Sequence, residues 1–455
     1  MRDFYRIVVL VMGLVWLMPH STAWSAPENV GKSALDRKRK RRKKKKKKPR
    51  RYEFAILPAL AGSVDTGFGF GIIANLARFE PGYNPYRWRI EAQWYMTVLE
   101  APGGGFEFPF HDDYILIDLP GLAGGKLRLD MRVSFGRFTT AGYFGLGNAS
   151  NGRPVWNDFD PETQKDQYIE ARRRYQYDWV YPNARVNARV TITKHLLLFL
   201  GAEFSYNFLN LYKNSKLEED LKRTQDTTRQ DDETNAIRGL LHGIRPHANF
   251  QVKAGLVYDT RDHEQVPSKG MFHDVSLRVS PGPVFSLQYP YGGATLHFRF
   301  FFPLYKEFLV LAVRVLGDFM FGRVPIYDLA TFGGIDPREG TGGSRSIRGI
   351  PSRRYHGKIK LLGNLELRAL LIPVRINFLG QRFNVGLVGF FDTGRFWADY
   401  QYNPALDGEG DGMHFGFGGG LRILWGESFI IRADFAYSLD EYSTFRFYIG
   451  VNQIF

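Results

Sequence analysis

The chain has 455 residues, with 38 Phe, 24 Tyr, 8 Trp and 49 Gly but no Cys, and its formal net charge is +15. The lack of cysteine excludes disulfides, thiolate metal sites and a cysteine nucleophile, and the lack of repeated apolar runs of about 20 residues excludes a bundle of transmembrane helices. Because residues 37–51 supply 14 basic side chains, residues 52–455 are left with 44 basic and 43 acidic groups, and the charge gives no evidence for nucleic-acid binding.

Residues 1–25 have the organisation of a secretory signal peptide. A basic start precedes an apolar run from Ile7 to Met18, and the small residues Ala23 and Ser25 then offer a cleavage site. The apolar run is within the roughly 7–15 residues typical of signal peptides and is too short to span a bilayer. We therefore expect an exported protein, with an uncleaved anchor as the alternative.

Residues 26–51 are predicted to form a disordered periplasmic tether, because the like charges in 37–51 repel one another and bury no apolar surface. In an exported chain the available polyanions are lipid headgroups and cell-wall polymers rather than nucleic acid. The tract is therefore expected either to bind anionic lipid or to act as a soluble spacer.

From Tyr52 onward, apolar and polar residues alternate with a period of two, often for about ten residues, which is the length of a tilted membrane-spanning strand. The pattern predicts an all-β domain over 52–455, namely a sixteen-stranded antiparallel transmembrane β-barrel. The sixteen strands are predicted to start near residues 53, 67, 86, 106, 126, 175, 195, 248, 271, 291, 307, 357, 382, 413, 428 and 444.

The connections between the predicted strands alternate in length, as they do in outer-membrane barrels. The long connections follow odd-numbered strands and cover residues 139–174, 211–247, 323–356 and 396–412. An even number of strands places both termini on the periplasmic side. The charged stretch from Lys213 to Glu233 is expected to be a mobile extracellular loop.

The last predicted strand has an apolar face that ends in an aromatic residue. By parity, Phe445, Phe447, Ile449 and Val451 are expected to face outward together with Phe455. This segment resembles the C-terminal signal by which the barrel assembly machinery recognises outer-membrane proteins. An ordinary terminal strand would explain the alternation but not the final aromatic residue.

One of the long connections, between strands 11 and 12, contains Ile347-Arg348-Gly349, and strand 13 contains Phe390-x-Asp392-x-Gly394. Here the sequence resembles the outer-membrane-protein-85 superfamily, or bacterial surface antigen family, which includes BamA-type insertases and two-partner secretion transporters. The resemblance implies that this loop folds into the lumen and that its arginine pairs with acids on the wall. Ile350 departs from the family motif, which has an aromatic residue there.

Strand parity is consistent with that arrangement. Glu366 lies on the opposite face from Leu365 and Leu367, and Asp392 shares a face with Phe390 and Gly394, opposite Val385 and Leu387. Both acids should therefore face the lumen, where a returning Arg348 can meet them. Arginine suits the role because its planar fork binds a carboxylate with two hydrogen bonds.

The resemblance is specific over residues 249–455, and there it also implies that Gly450 weakens strand pairing at the barrel seam. Family transporters carry periplasmic POTRA domains before the barrel, whereas only residues 26–51 precede strand 1 here. We therefore expect a barrel, surrounded by outer-membrane lipids, that assists protein or lipid insertion or translocation with a separate periplasmic partner.

The alternatives are a pore constricted by the same loop and a surface-exposed structural protein. An enzyme is the least favoured class, because the sequence has no G-x-S-x-G elbow and no H-x-x-x-H metal pair on a helix. No catalytic residue, metal site or cofactor is predicted.

Overall fold

The computed structural model describes residues 51–455 except 82, 84–85, 102–103, 151–153, 265, 283–288, 307, 336–339, 379–380, 426–428, 441–444 and 452. The predicted signal peptide (1–25) and the predicted tether (26–51), apart from Arg51, lie outside the described residues. The described residues within 51–376 and 382–455 form one compact unit.

The described residues form sixteen long strands, which correspond one to one with the predicted strands. Their bounds are β1 Arg51–Ser63, β2 Gly67–Phe79, β3 Trp88–Glu100, β4 Phe110–Leu122, β5 Leu127–Gly142, β6 Gln176–Thr191, β7 Leu196–Leu211, β8 His247–Asp259, β9 Gly270–Ser280, β10 Tyr291–Tyr305, β11 Leu309–Gly322, β12 Ile359–Phe378, β13 Gln381–Trp397, β14 His414–Trp425, β15 Phe429–Tyr437 and β16 Phe445–Val451. A two-residue strand, Phe106–Glu107, pairs with the end of β3. Phe108 and Pro109 separate it from β4.

Each long strand neighbours the next one along the chain, and β16 pairs with β1, so the sheet closes on itself. This confirms the predicted sixteen-stranded antiparallel barrel. Strand β5 illustrates the difference between the outer and inner faces of the barrel. Val133 is 65% exposed on the outside, whereas its charged neighbours Asp130 and Arg132 are buried on the inside. The apolar face is thus the outer one, as expected for a barrel in lipid.

Five short α-helices lie in the described connections, and none is both long and apolar enough to cross a membrane. They are α1 Lys165–Arg173, α2 Lys216–Gln225, α3 Asp232–Leu240, α4 Ile326–Leu329 and α5 Pro404–Asp407. All five follow odd-numbered strands. The barrel end that carries them is called the long-loop end below, and the opposite end is called the short-turn end.

The connections at the long-loop end pack against one another. Their apolar side chains form one cluster with residues at the ends of the strands. Its loop and helix members are Tyr143, Leu146, Leu217, Ile237, Leu240, Val324, Ile326, Tyr327, Leu329, Ala398 and Leu406. The long loops are therefore a packed layer with its own hydrophobic core.

The prediction that the stretch from Lys213 to Glu233 is a mobile loop is wrong, because it forms α2 and the start of α3. The Ser215 side chain caps α2 by accepting a hydrogen bond from the N–H of Glu218. Leu217 is buried in the loop cluster. The Ser-x-x-Glu capping pattern is the sequence signal for this helix, and it outweighs the high charge of the stretch.

Candidate functional site

The loop between β11 and β12, residues 323–358, brings its Ile-Arg-Gly motif against the inner wall of the barrel. Ile347 is fully buried and packs with Leu316 of β11, Leu362 of β12 and Phe396 of β13. All three wall residues belong to the inward-facing sets of their strands. The packing of Ile347 therefore fixes the main-chain position from which the Arg348 side chain extends.

Arg348 makes a two-pronged contact with Asp392 of β13. Its Nε lies 2.8 Å from Oδ2 and its Nη2 lies 2.9 Å from Oδ1, while its main-chain N–H donates to Oδ2 at 3.0 Å. The guanidinium carbon lies 3.4 Å from the ring centre of Phe390. One carboxylate and one aromatic face thus hold the arginine from two directions, with the geometry for which a planar guanidinium is suited.

Two further carboxylates reach the same guanidinium. Nη1 of Arg348 lies 2.7 Å from Oε1 of Glu366 and 3.4 Å from Oδ2 of Asp434. The side chains of all four residues are 0% exposed. Burial opposes the charge of Arg348, but Asp392 and Glu366 more than offset that effect and raise its pKa above the ordinary value. The arginine remains charged at any physiological pH.

Other arginines complete the charge balance around this cluster. Arg368 donates to Glu366 at 2.8 Å. Arg422 and Arg432 donate to Asp434 at 2.5 and 3.4 Å. Each of the three carboxylates therefore keeps at least one partner besides the side chain of Arg348, since Asn364 donates to Asp392 at 2.7 Å. The cluster can hold the loop in one place, and it contains no nucleophile paired with a general base.

Two predicted glycines occupy positions where a side chain does not fit. Gly349 has φ +96°, a conformation that other residues rarely adopt, and a Cβ there would lie 2.8 Å from the main-chain carbon of Tyr437. At Gly394, a Cβ would lie 2.7 Å from Cδ1 of Ile347. These glycines allow the motif to approach strands β15 and β13 closely.

The structure places most of the predicted terminal segment as expected but contradicts one residue. On β16, Phe445 is 77% exposed and Phe447, Ile449 and Val451 are partly exposed. Phe455, however, does not share that outward face. It is 7% exposed and packs with Phe301, Val310 and Ala312, which face inward on β10 and β11.

The reason is that β16 ends at Val451, and parity predicts a face only while a strand continues. Residues 453–455 instead contact arginines of the inner wall. Arg368 donates to the main-chain oxygen of Phe455 at 3.0 Å, and Arg422 donates to the side chain of Gln453 at 3.0 Å. The Phe455 ring centre lies 4.9 Å from the guanidinium carbon of Arg368.

The seam between β1 and β16 is short. In the described residues β16 pairs with β1 only at Gly62–Ile449 and Ser63–Tyr448, whereas β1 pairs with β2 along its whole length of thirteen residues. Pairing stops at Gly450, the predicted seam glycine. The edge of β1 from Arg51 to Ala61 thus faces no strand of the described chain.

The sequence matches the Omp85 superfamily domain over residues 132–455. The chain belongs to the Omp85 superfamily. BamA from Haemophilus ducreyi lacking POTRA domains 1–3 is similar in structure, with 14% identity and a TM-score of 0.54 over 88% of this chain and 70% of that chain. CdiB from Escherichia coli has 10% identity and a TM-score of 0.51 over 89% and 68%.

These likenesses show a shared fold, and no match was found among curated proteins. Membership of the superfamily makes the chain an outer-membrane β-barrel. The family match begins at residue 132, inside β5, and so extends further toward the N-terminus than the region over which the motifs were specific.

Sequence reasoning missed Asp434 as a partner of Arg348. The signal was present, because Arg432 and Asp434 alternate with the apolar Ile431, Ala433 and Phe435 and must face inward together. What the alternation could not indicate is that β15 lies close enough to the loop for contact.

Proposed function

We propose that this Omp85 barrel assists the insertion or translocation of polypeptides at the outer membrane by presenting the free edge of β1 to an incoming strand. The observation that carries the proposal is the two-residue seam. An unpaired strand edge is a row of N–H and C=O groups that another strand can join. Each net backbone hydrogen bond contributes only about 0.5–1.5 kcal/mol, so a seam this short can open at modest cost.

Protein clients are favoured over lipid clients, because a strand edge recognises peptide backbone. The outer face of this edge is also suited to contact with lipid. Tyr52, Phe54 and Ile56 of β1 are each more than half exposed. A client strand added here would continue the apolar outer surface of the barrel.

A loop-constricted pore is the competing function. Against it stand the fully buried Ile347 and Arg348 and the packed layer of loops at the long-loop end. If that packing persists in the membrane, the barrel should show small and unstable conductance in planar bilayers. A large and steady conductance would favour the pore.

The proposed topology follows from the even number of strands. Both termini lie on the periplasmic side, with 1–25 as the signal peptide, 26–51 as the tether and 52–455 as the barrel. A separate periplasmic partner would deliver clients, and residues 37–51 would bind anionic lipid nearby. The barrel assembly machinery would recognise the terminal segment 445–455 when this chain itself is inserted.

The test is the folding of a small outer-membrane barrel, added unfolded in urea, into liposomes with and without the purified full-length protein. Folding is measured by protease protection and heat-modifiable migration, and we expect the protein to accelerate it. A disulfide between Ser63→Cys and Tyr448→Cys, which are partners across the seam, should abolish the acceleration, and a reductant should restore it.

The matched control joins Val133→Cys to Ala184→Cys, which are partners on β5 and β6 far from the seam in the ladder. The natural chain has no cysteine, so within one molecule each variant can form only the intended bond. If empty and protein-containing liposomes fold the client equally fast, or if both disulfides act alike, the proposed function is wrong.

A further inference from the structure

The turn that follows β1 carries an aspartate whose carboxylate crosses the seam. Asp65 Oδ1 lies 2.7 Å from Nη1 of Arg446 on β16. The two side chains are only 11% and 9% exposed. This ion pair lies at the long-loop end, next to the only two residue pairs that join β1 to β16 in the described chain.

The same carboxylate also holds the loop that carries Arg348. The main-chain N–H of Ser352 donates to Asp65 Oδ2 at 3.2 Å. The turn itself is fixed, because the main-chain oxygen of Asp65 accepts a hydrogen bond from Thr140 of β5 at 3.2 Å. Asp65 therefore connects the end of β1 to β16, to β5 and to the loop.

The loop contacts the other side of the seam as well. The N–H of Gly349 donates to the hydroxyl of Tyr448 at 3.2 Å, and Tyr448 is the partner of Ser63 in the seam. Between residues 348 and 352, the loop thus contacts β13, β15, β16 and the turn after β1. The contacts that hold the loop and the contacts that hold the seam closed therefore lie side by side in residues 348–352.

We propose that Asp65 is a positioning residue that closes the long-loop end of the seam through Arg446 and couples this closure to the loop through Ser352. The seam would then open first at the short-turn end, where the edge of β1 from Arg51 to Ala61 faces no strand of the described chain on its β16 side. Full separation of β1 from β16 would require the Asp65–Arg446 pair to break. The idea that client strands enter through the opened seam rests on the proposed function. The closure of the seam by Asp65 does not.

Two features distinguish the Asp65–Arg446 pair from the other ion pairs inside the barrel. Elsewhere in the described ladders, neighbouring long strands share six or more residue pairs, so that the loss of one ion pair leaves the ladder intact. At the seam only two residue pairs remain. The pair is also largely buried, and breaking a buried ion pair costs more than breaking an exposed one.

The test is hydrogen–deuterium exchange of the full-length protein in lipid nanodiscs, followed in peptides that cover 60–64, 445–451 and 350–354. Asp65→Asn and Arg446→Gln should each speed exchange in the two seam peptides at least about tenfold. Asp65→Asn should also speed exchange in 350–354. The matched control is Asp178→Asn, since Asp178 is similarly buried and holds Arg137 within the β5–β6 ladder at 3.0 Å.

A charge swap, Asp65→Arg with Arg446→Asp, separates the two parts of the proposal. It restores an ion pair across the seam but removes the acceptor for the Ser352 N–H. Exchange in 445–451 should therefore return toward the natural rate, while exchange in 350–354 stays fast. A general loss of structure would leave both peptides fast and would also remove heat-modifiable migration.

The proposal is overturned if Asp65→Asn and Arg446→Gln leave seam exchange unchanged, or if Asp178→Asn speeds it equally. It is also overturned if the seam peptides of the natural protein exchange completely within seconds, because there would be no closure to lose. Since no client is present, these outcomes do not depend on whether the barrel inserts proteins.

Discussion

Replacing Arg348 with alanine tests whether the charged cluster, rather than the chain around it, holds the loop in the lumen. The side chain is 0% exposed and reaches three carboxylates. Removing one partner of a buried pair costs about 3–5 kcal/mol. Because Glu366 retains Arg368 and Asp434 retains Arg422, we expect the lower end of that range, about 3 kcal/mol.

This loss should fall on the loop and leave the barrel assembled, because the strand ladders do not involve the Arg348 side chain. A cost of about 3 kcal/mol corresponds to roughly a hundredfold larger population of the released loop. Limited proteolysis between residues 340 and 356 should accelerate accordingly, and bilayer conductance should rise. Arg348→Lys should have a smaller effect, because lysine keeps the charge but loses the two-pronged contact.

A double-mutant cycle with Asp392→Asn measures the interaction itself. The two residues share two side-chain hydrogen bonds, so the double variant should be less destabilised than the sum of the single variants by about 0.5–3 kcal/mol. The matched control is Arg189→Ala, which removes a more exposed luminal arginine bound to Asp130. Fully additive effects, or loop proteolysis as slow as in the Arg189 control, would refute the reasoning.

Three further predictions concern single features. Gly349→Ala should destabilise the loop by about 1–3 kcal/mol in urea unfolding, whereas Gly389→Ala, where a Cβ meets nothing within 4 Å, should have little effect; equal effects would contradict the geometric argument. A synthetic peptide of residues 32–52 should bind anionic vesicles and dissociate as salt rises, and equal binding to zwitterionic vesicles would identify a simple spacer. Phe455→Asp should cause periplasmic accumulation and degradation, because it removes the aromatic end of the terminal segment; normal heat-modifiable barrel in the outer membrane would contradict that role.

The barrel could be predicted from the sequence because its determinants are local. A period of two fixes which side chains of each strand face outward, and turn lengths separate the two ends. The same rule placed Glu366 and Asp392 on the inner face. The rule fails where a strand stops, as at Phe455, and it does not indicate which strands the loop contacts across the lumen, as at Asp434.

The short pairing at the seam could not be predicted from the sequence, because it depends on contacts between distant parts of the chain. Gly62 and Ser63 are ordinary strand residues in the sequence, and only the folded chain shows that, among the described residues of β1, these two pair with β16. Asp65 likewise looks like an ordinary turn residue, since aspartate is common in turns. Its role becomes visible only in the fold, where its carboxylate contacts Arg446, near the C-terminus, and Ser352 of the loop.

The outward alternation of the terminal segment would include Phe455 only if β16 were extended beyond Val451. If β16 continued past Val451 in its present register, Phe455 would lie opposite Ile56 on the apolar outer face, where parity first placed it. In the folded barrel it lies instead among Phe301, Arg368 and their neighbours. An aspartate at this position would lose the apolar packing of the Phe455 ring, although the guanidinium of Arg368 lies near enough to pair with the new charge. Stability after refolding in detergent separates that loss from a defect in assembly. A defect of Phe455→Asp in outer-membrane assembly, combined with normal stability after refolding in detergent, would therefore show that the aromatic residue is needed before the barrel closes.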